Sequence, residues 1–346
     1  MNDFTFYNPT HFIFGHDAET KAGEAVQMAG GSAALIVWGQ GSVQRSGLLG
    51  RVRAALDDKG IRHEELSGIV PNPLSEPVYR GIDLMREKAL DCVIALGGAS
   101  VIDTAKAIAI GAVYAGDFWD FYARKAVVEK SLPVIAVPTI AAAGSESSNS
   151  SVITNEKLGL KRGINSEKIH PVVALMNPAL TYTVPLNHKA YGICDMMTHI
   201  FERYFTNTKD VTLTDEMCEG VLRAIMQAGP RTLTEPWDWG AHAEIFWAGT
   251  LAHNNTLSSG REQDWSSHGL AHSVSARFNG IHGAVLAVIF PVWMRYQLDH
   301  DVARFARFAH KVMGVMPTGD DRKDASDGID SLRAFFDSLR LPSHLK

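Results

Sequence analysis

The segment Cys92-Val93-Ile94-Ala95-Leu96-Gly97-Gly98-Ala99-Ser100-Val101-Ile102-Asp103 reads as a buried strand, a glycine turn and the start of a helix running to residue 112. A short β-branched apolar run bounded by small residues is the pattern of a strand covered on both faces. The same rhythm recurs on either side. Ala33-Ala34-Leu35-Ile36-Val37 precedes an amphipathic stretch over 48–59, and Val134-Ile135-Ala136-Val137 follows. Strands alternating with helices in this way imply a largely parallel, Rossmann-like sheet with helices on both faces. Beyond Tyr182 to Pro185 the pattern changes, and windows such as 194–205, 215–227, 243–257 and 302–315 read as helix. A boundary near Val184 therefore predicts an α/β domain over 1–184 and an all-helical domain over 185–346.

Composition narrows the class of protein. Of 346 residues, 46% are hydrophobic and 21% charged, the balance of an ordinary globular chain that builds a large core without staples. The net charge is −5, from 33 Lys and Arg against 38 Asp and Glu, with no basic run to hold nucleic acid or an anionic membrane. Three cysteines, Cys92, Cys194 and Cys218, are odd in number and lack C-x-x-C spacing, which excludes a disulfide framework and fits a reducing compartment. The N-terminus lacks a basic stretch followed by an apolar one, so no secretory signal is expected and the cytoplasm is the expected location. Asp103 and Lys106 interrupt the apolar stretch 93–113, and 284–292 is too short to cross a bilayer.

Two strand–helix junctions carry clusters of small residues. One is Trp38-Gly39-Gln40-Gly41-Ser42; the other is Gly97-Gly98-Ala99-Ser100. Glycines let backbone N–H groups approach a phosphate, and a helix N-terminus adds partial positive charge, so a pyrophosphate fits such a turn. Neither cluster matches G-x-G-x-x-G, and glycines after a strand also serve simply as tight turns. The second cluster points further, because Ser100 can cap the helix and offer a hydroxyl at the carboxyl end of a parallel strand. Thr139 and Gly144-Ser145 lie at a third strand end.

The second half concentrates histidines and carboxylates. Asp195 and His199 are four apart, hence on one helix face and able to reach one metal. Asp264, His268 and His272 cannot all do so, since i and i+8 are about 12 Å apart along a helix. Phe278-Asn279-Gly280-Ile281 offers a turn that brings His282 in from a second direction. The favoured set is Asp195, His199, His268 and His282 around a divalent ion, Zn(II) or Fe(II), with His272 facing the reaction space outside the ligand set. Asp238 and His242 are expected to be structural.

These motifs resemble the iron-containing, or group III, alcohol dehydrogenases, and within them the branch of NADPH-dependent aldehyde reductases and butanol dehydrogenases. The resemblance rests on Gly97-Gly98-Ala99-Ser100-x-x-Asp103-x-x-Lys106, Pro71-Asn72-Pro73, Phe14-Gly15, Trp38-Gly39-x-Gly41-Ser42-Val43 and the Asp195, His199, His268, His272, His282 series. It implies a dehydroquinate-synthase-like fold, with a nucleotide-binding domain, a helical metal domain and an active site in the cleft between them. It further implies that Gly97, Gly98 and Ser100, within the signature that includes Asp103, cradle the pyrophosphate. Asn72, Thr139, Lys161 and Leu180 are implied as further coenzyme contacts. Gly39, Gly41 and Ser42 are implied to face the adenosine ribose; no acid stands there and Arg45 is near, so NADP is expected, with NAD possible. Ala99 replaces a third glycine, Ala143 stands where a Thr is usual near the nicotinamide, and Ser148 stands where the branch often has Asn. Relatives are expected to continue beyond Lys346, so the metal domain reads as shortened, and a homodimer is expected.

The expected reaction is hydride transfer between NADP(H) and small aldehydes or primary alcohols, with the proton supplied by His272, water or the coenzyme ribose. Trp265, Phe201 and Met196 are expected as apolar pocket walls. One rival is a sugar-phosphate cyclase like dehydroquinate synthase, which needs several cations beside the metal; only Arg203, Arg261 and Arg277 are near in sequence. The other rival is a non-catalytic relative.

Overall fold

The apolar runs become neighbours in one parallel sheet. The structure, a computed structural model, describes residues 1–278 and 280–345. Its first unit contains β1 (His11–Phe14), α1 (Ala22–Met28), β2 (Ala33–Trp38), α2 (Ser42–Arg45), α3 (Leu48–Asp58), β3 (Arg62–Leu66), α4 (Ser75–Glu87), β4 (Cys92–Gly97), α5 (Ala99–Ala112), α6 (Trp119–Tyr122), β5 (Val134–Pro138), β6 (Ser150–Asn155), β7 (Leu160–Asn165) and β8 (Val173–Met176). The sheet order is β1-β8-β5-β4-β2-β3, every pair parallel. Successive side chains enter opposite cores. Leu35, Val37, Val93 and Ala95 pack with α4 and α5, while Ala34, Ile36, Ile94 and Leu96 pack with α1 and α3. Burial on both faces explains why β2 and β4 are apolar throughout.

β6 and β7 form a separate antiparallel hairpin. Its strands carry Ser, Thr, Asn, Lys and Arg, so no apolar run announces them.

The second unit contains α7 (Leu186–Tyr204), α8 (Thr212–Ala228), α9 (Trp239–His253), α10 (Ser266–Phe278), α11 (His282–Gln297), α12 (Val302–Phe308) and α13 (Asp321–Ser338). Met1–Phe6 and Ala141–Ala143 group with these helices, and Tyr7–Ile140 with Gly144–Tyr182 makes up the first unit. Phe201, Phe205, Phe290 and Phe308 stack into an aromatic core. Phe201 and Met196 are wholly buried, so neither is the pocket wall expected of it. Gly283 lets α11 press against α7: a Cβ there would lie 2.2 Å from Tyr191 O. Among the described residues, no helix is long and apolar enough to cross a membrane.

Candidate functional site

The helical unit brings four of the expected side chains to one point. Asp195 and His199 sit one turn apart on α7, His268 comes from α10, and His282 is the first residue of α11. The Nε2 atoms of His199 and His268 lie 3.7 Å from Asp195 Oδ1, and that of His282 lies 3.6 Å from it. Asp195, His268 and His282 each present a ligand atom within 4.8 Å of the other two. His199 is tied to that group through Asp195 Oδ1. Asn279, in the turn expected before His282, lies outside the described residues.

These spacings are too long for hydrogen bonds, yet Asp195, His199 and His268 are buried. Asp195 Oδ1 and His268 Nε2 have no hydrogen-bond partner. Orphaned polar atoms in an interior are costly unless something binds them. Four donors at about 2.1 Å from one tetrahedral ion stand about 3.4 Å apart, close to the 3.6–3.7 Å between Asp195 Oδ1 and each of the three imidazole nitrogens. The residues fit a divalent cation.

Burial, reinforced by the neighbouring His253 and His268, holds His199 far below the ordinary imidazole range, which leaves it neutral and fit to be a ligand. Burial opposes charge on His268 too, but Glu202 and Asp195 together outweigh it and lift that imidazole to about 9. A cation held by His268 would displace a proton.

Several neighbours of the cluster escaped the sequence reading. Arg203 is fully buried, donates from Nη1 to His199 O at 2.7 Å, and contacts His253 Nδ1 at 3.2 Å. The His253 ring lies 4.3 Å from that of His199. Trp265 covers this group, its ring 5.7 Å from His199, 5.1 Å from His268 and 4.8 Å from the Arg203 guanidinium. Arg261 is spent on Arg203 O, Val211 O and Asp215. Neither arginine is therefore available for a phosphate. His272 is half-buried, with its ring 4.9 Å from that of His282 and 6.2 Å from that of His268. Asp264 accepts from Ser266 N at the start of α10, and Asp238 caps α9 through Ala241 N while pairing with Arg231, so both do structural work.

In the α/β unit, the carboxyl ends of β2, β4 and β5 lie side by side, with Trp38 paired to Leu96 and Gly97 to Pro138. Gly39, Gly98 and Thr139 therefore share one edge. Gly98 precedes the first residue of α5, so Ser100 lies inside the first turn and does not cap it. A Cβ on Gly98 would meet Ile140 Cγ2 at 2.8 Å, and one on Gly97 would meet Val101 Cγ2 at 2.6 Å. Ala99 is absent from the positive-φ residues, so losing a glycine there strains nothing. Gly41 adopts φ 106° before the short helix that Ser42 begins. Lys161 Nζ donates to Asn72 Oδ1 at 2.9 Å, which joins two of the expected coenzyme positions. Leu180 is half-buried against the α1–α3 core. Asp103 turns inward instead, its oxygens accepting from Ser145 Oγ at 2.7 Å and Val152 N at 3.0 Å.

Comparison with known proteins agrees with this geometry. Residues 9–178 match the family described as iron-containing alcohol dehydrogenase, and residues 189–346 match the Fe-containing alcohol dehydrogenase family, C-terminal. The chain is 41% identical to "Probable NADH-dependent butanol dehydrogenase 2" of Bacillus subtilis (strain 168), over 100% of this chain and 88% of that protein. It is 34% identical to the NADPH-dependent aldehyde reductase YqhD of Escherichia coli (strain K12), over 100% of this chain and 89% of that one. The crystal structure of NADH-dependent butanol dehydrogenase A from Thermotoga maritima superposes with a TM-score of 0.95 at 36% identity, covering 99% of this chain and 85% of the other.

Proposed function

The chain belongs to the iron-containing alcohol dehydrogenase family, and from that premise we propose which of its residues carry out the reaction. It is an oxidoreductase of small aldehydes and alcohols that uses NAD(P) and a divalent metal. We assign the metal ligands to Asp195, His199, His268 and His282. The observation that carries this is the convergence of three Nε2 atoms on one buried Asp195 oxygen at 3.6–3.7 Å. When bound, the ion supplies Lewis-acid polarisation of a carbonyl and the reduced coenzyme supplies hydride. Fe(II) follows the family's description; Zn(II) is the alternative that the same donors accept.

The chain's own groups then have distinct tasks. One aspartate and three neutral imidazoles leave a divalent centre net positive, which favours developing negative charge on a substrate oxygen. Trp265 walls the site with apolar surface and excludes water beside His199 and His268. His272, beside His282, holds or passes the proton that the alcohol oxygen gains. Gly97, Gly98 and Ser100 receive the pyrophosphate at the start of α5, and Thr139, Asn72, Lys161, Leu180, Gly39, Gly41 and Ser42 complete the coenzyme site. Asp103 serves that site from within, through Ser145 and Val152.

The turn at Gly39 to Ser42 lacks an acid to repel a 2′-phosphate, which supports NADP(H). The Bacillus relative is named for NADH, which supports the second reading, NAD(H). Three buried free cysteines are in keeping with a reducing, cytoplasmic compartment. The test is an anaerobic assay of Fe(II)- and Zn(II)-loaded protein with butanal and NADPH or NADH. Asp195→Asn and His282→Ala should each abolish both metal binding and coenzyme oxidation. Full activity in either variant, or a metal-free wild type that is equally active, would end the assignment.

A further inference from the structure

Glu202 stands behind the histidines without belonging to the ligand set. It is 1% exposed and lies on α7, three residues after His199 and seven after Asp195. Its Oε1 accepts from Ser267 Oγ at 2.5 Å and from His268 N at 3.0 Å. Its Oε2 lies 2.5 Å from His268 Nδ1. Two donors on Oε1 fix which way the carboxylate faces, and Oε2, an acceptor only, favours a proton on Nδ1. In the neutral ring the lone pair of His268 then sits on Nε2, the atom 3.7 Å from Asp195 Oδ1.

We infer that Glu202 is a positioning residue that selects the imidazole tautomer of His268 able to bind the metal and, with Asp195, offsets charge of a divalent ion beside the buried Arg203. A carboxylate behind a metal-bound histidine fixes both ring orientation and tautomer. Two buried carboxylates offset the two charges of a divalent cation and leave the buried Arg203 as one net positive charge, whereas Asp195 alone leaves two. The inference rests on the reading in which Asp195, His199, His268 and His282 hold one ion.

A purely structural role, tethering α10 to α7, makes a different prediction for two variants. In Glu202→Gln, the donors Ser267 Oγ–H and His268 N–H hold the amide oxygen at the Oε1 position, so the amide NH2 faces His268 Nδ1. That NH2 can only donate, which drives the proton to Nε2 and blocks the ligand atom. In Glu202→Met, nothing dictates the tautomer. The isosteric Gln should therefore damage metal binding more than the apolar Met, whereas a tether would tolerate Gln best.

The measurement is Zn2+ affinity of the full chain by competition with a chromogenic chelator, with thermal unfolding of the metal-free forms as the check on folding. Glu202→Met should weaken Zn2+ binding about 10-fold and Glu202→Gln about 100-fold or more. Gln binding as tightly as Met, or more tightly, overturns the inference. If Met does not fold, Gln within about threefold of wild type overturns it alone. Asp195→Asn separates the two levels of the reading. If it loses Zn2+ while Glu202→Gln keeps it, only the role of Glu202 falls. If wild type fails to bind, or Asp195→Asn still binds, the shared-ion reading falls and takes this inference with it.

Discussion

Replacing Lys106 by Met should remove a rise in stability that the wild-type protein shows between pH 7 and 10. Lys106 is fully buried, and its ammonium donates to Ser145 Oγ (3.2 Å), Ser148 O (2.9 Å), Ser148 Oγ (3.2 Å) and Ser150 O (2.9 Å). Burial lowers its pKa to about 8, with Asp103 and Glu146 offsetting part of that effect. The unfolded chain keeps this proton up to 10.5, whereas the folded chain releases it from about 8. Between those values the unfolded state binds more protons, so stability climbs with pH; below 8 the folded state bears the whole cost of a buried cation. At 1.36 kcal/mol per pH unit the gap is about 3 kcal/mol. Most of it should emerge between pH 7 and 10. Met carries no proton, so the Tm difference between variant and wild type should move by ~5–10 °C over that range for a unit of this size. Scanning calorimetry at several pH values measures this. Lys189, also lowered to about 8, titrates in both proteins and cancels in the difference. Parallel Tm curves would refute the reasoning, because they would mean that Lys106 is not held as a desolvated cation.

Three further outcomes follow from the geometry. Gly283→Ala places a Cβ 2.2 Å from Tyr191 O, backbone against backbone, so α11 must retreat from α7 and carry His282 with it; Zn2+ affinity should fall at least about tenfold and stability by roughly 1–3 kcal/mol. His272→Ala should lower kcat about tenfold or more while a metal assay finds full occupancy, and an unchanged pH–rate profile would remove His272 from the proton path. Ser42→Asp should shift the kcat/KM ratio about tenfold or more toward NADH, by repelling a 2′-phosphate and accepting from a 2′-hydroxyl; an unmoved ratio would show that this turn does not face the ribose.

What could be read from the chain depended on whether a residue's purpose was local. Strands β2, β4 and β5 were legible because burial on both faces leaves an unbroken apolar run, and a candidate ligand set could be picked out because a metal admits few residue types. The β6–β7 hairpin was not, since Ser150, Thr154, Lys161 and Arg162 alternate with few apolar partners. Phe201 and Met196 were expected at the pocket because they adjoin ligands in sequence. A helix turns about 100° per residue, so Phe201 points about 200° away from His199 and enters the aromatic core instead. That same rule contained the signal for Glu202. Seven residues after Asp195 and three after His199, it returns to their face of α7, where an acid has no solvent to turn to and needs a partner from another helix. Lys106 was visible as a charge interrupting the apolar stretch 93–113, but its acceptors at Ser148 and Ser150 lie more than forty residues on and only the folded chain joins them. A charged residue inside an otherwise buried apolar face is thus the feature to follow from sequence into structure. Isolated there, it would cost several kcal/mol, so the fold must bring it a partner, and that partner marks what the site needs held in place.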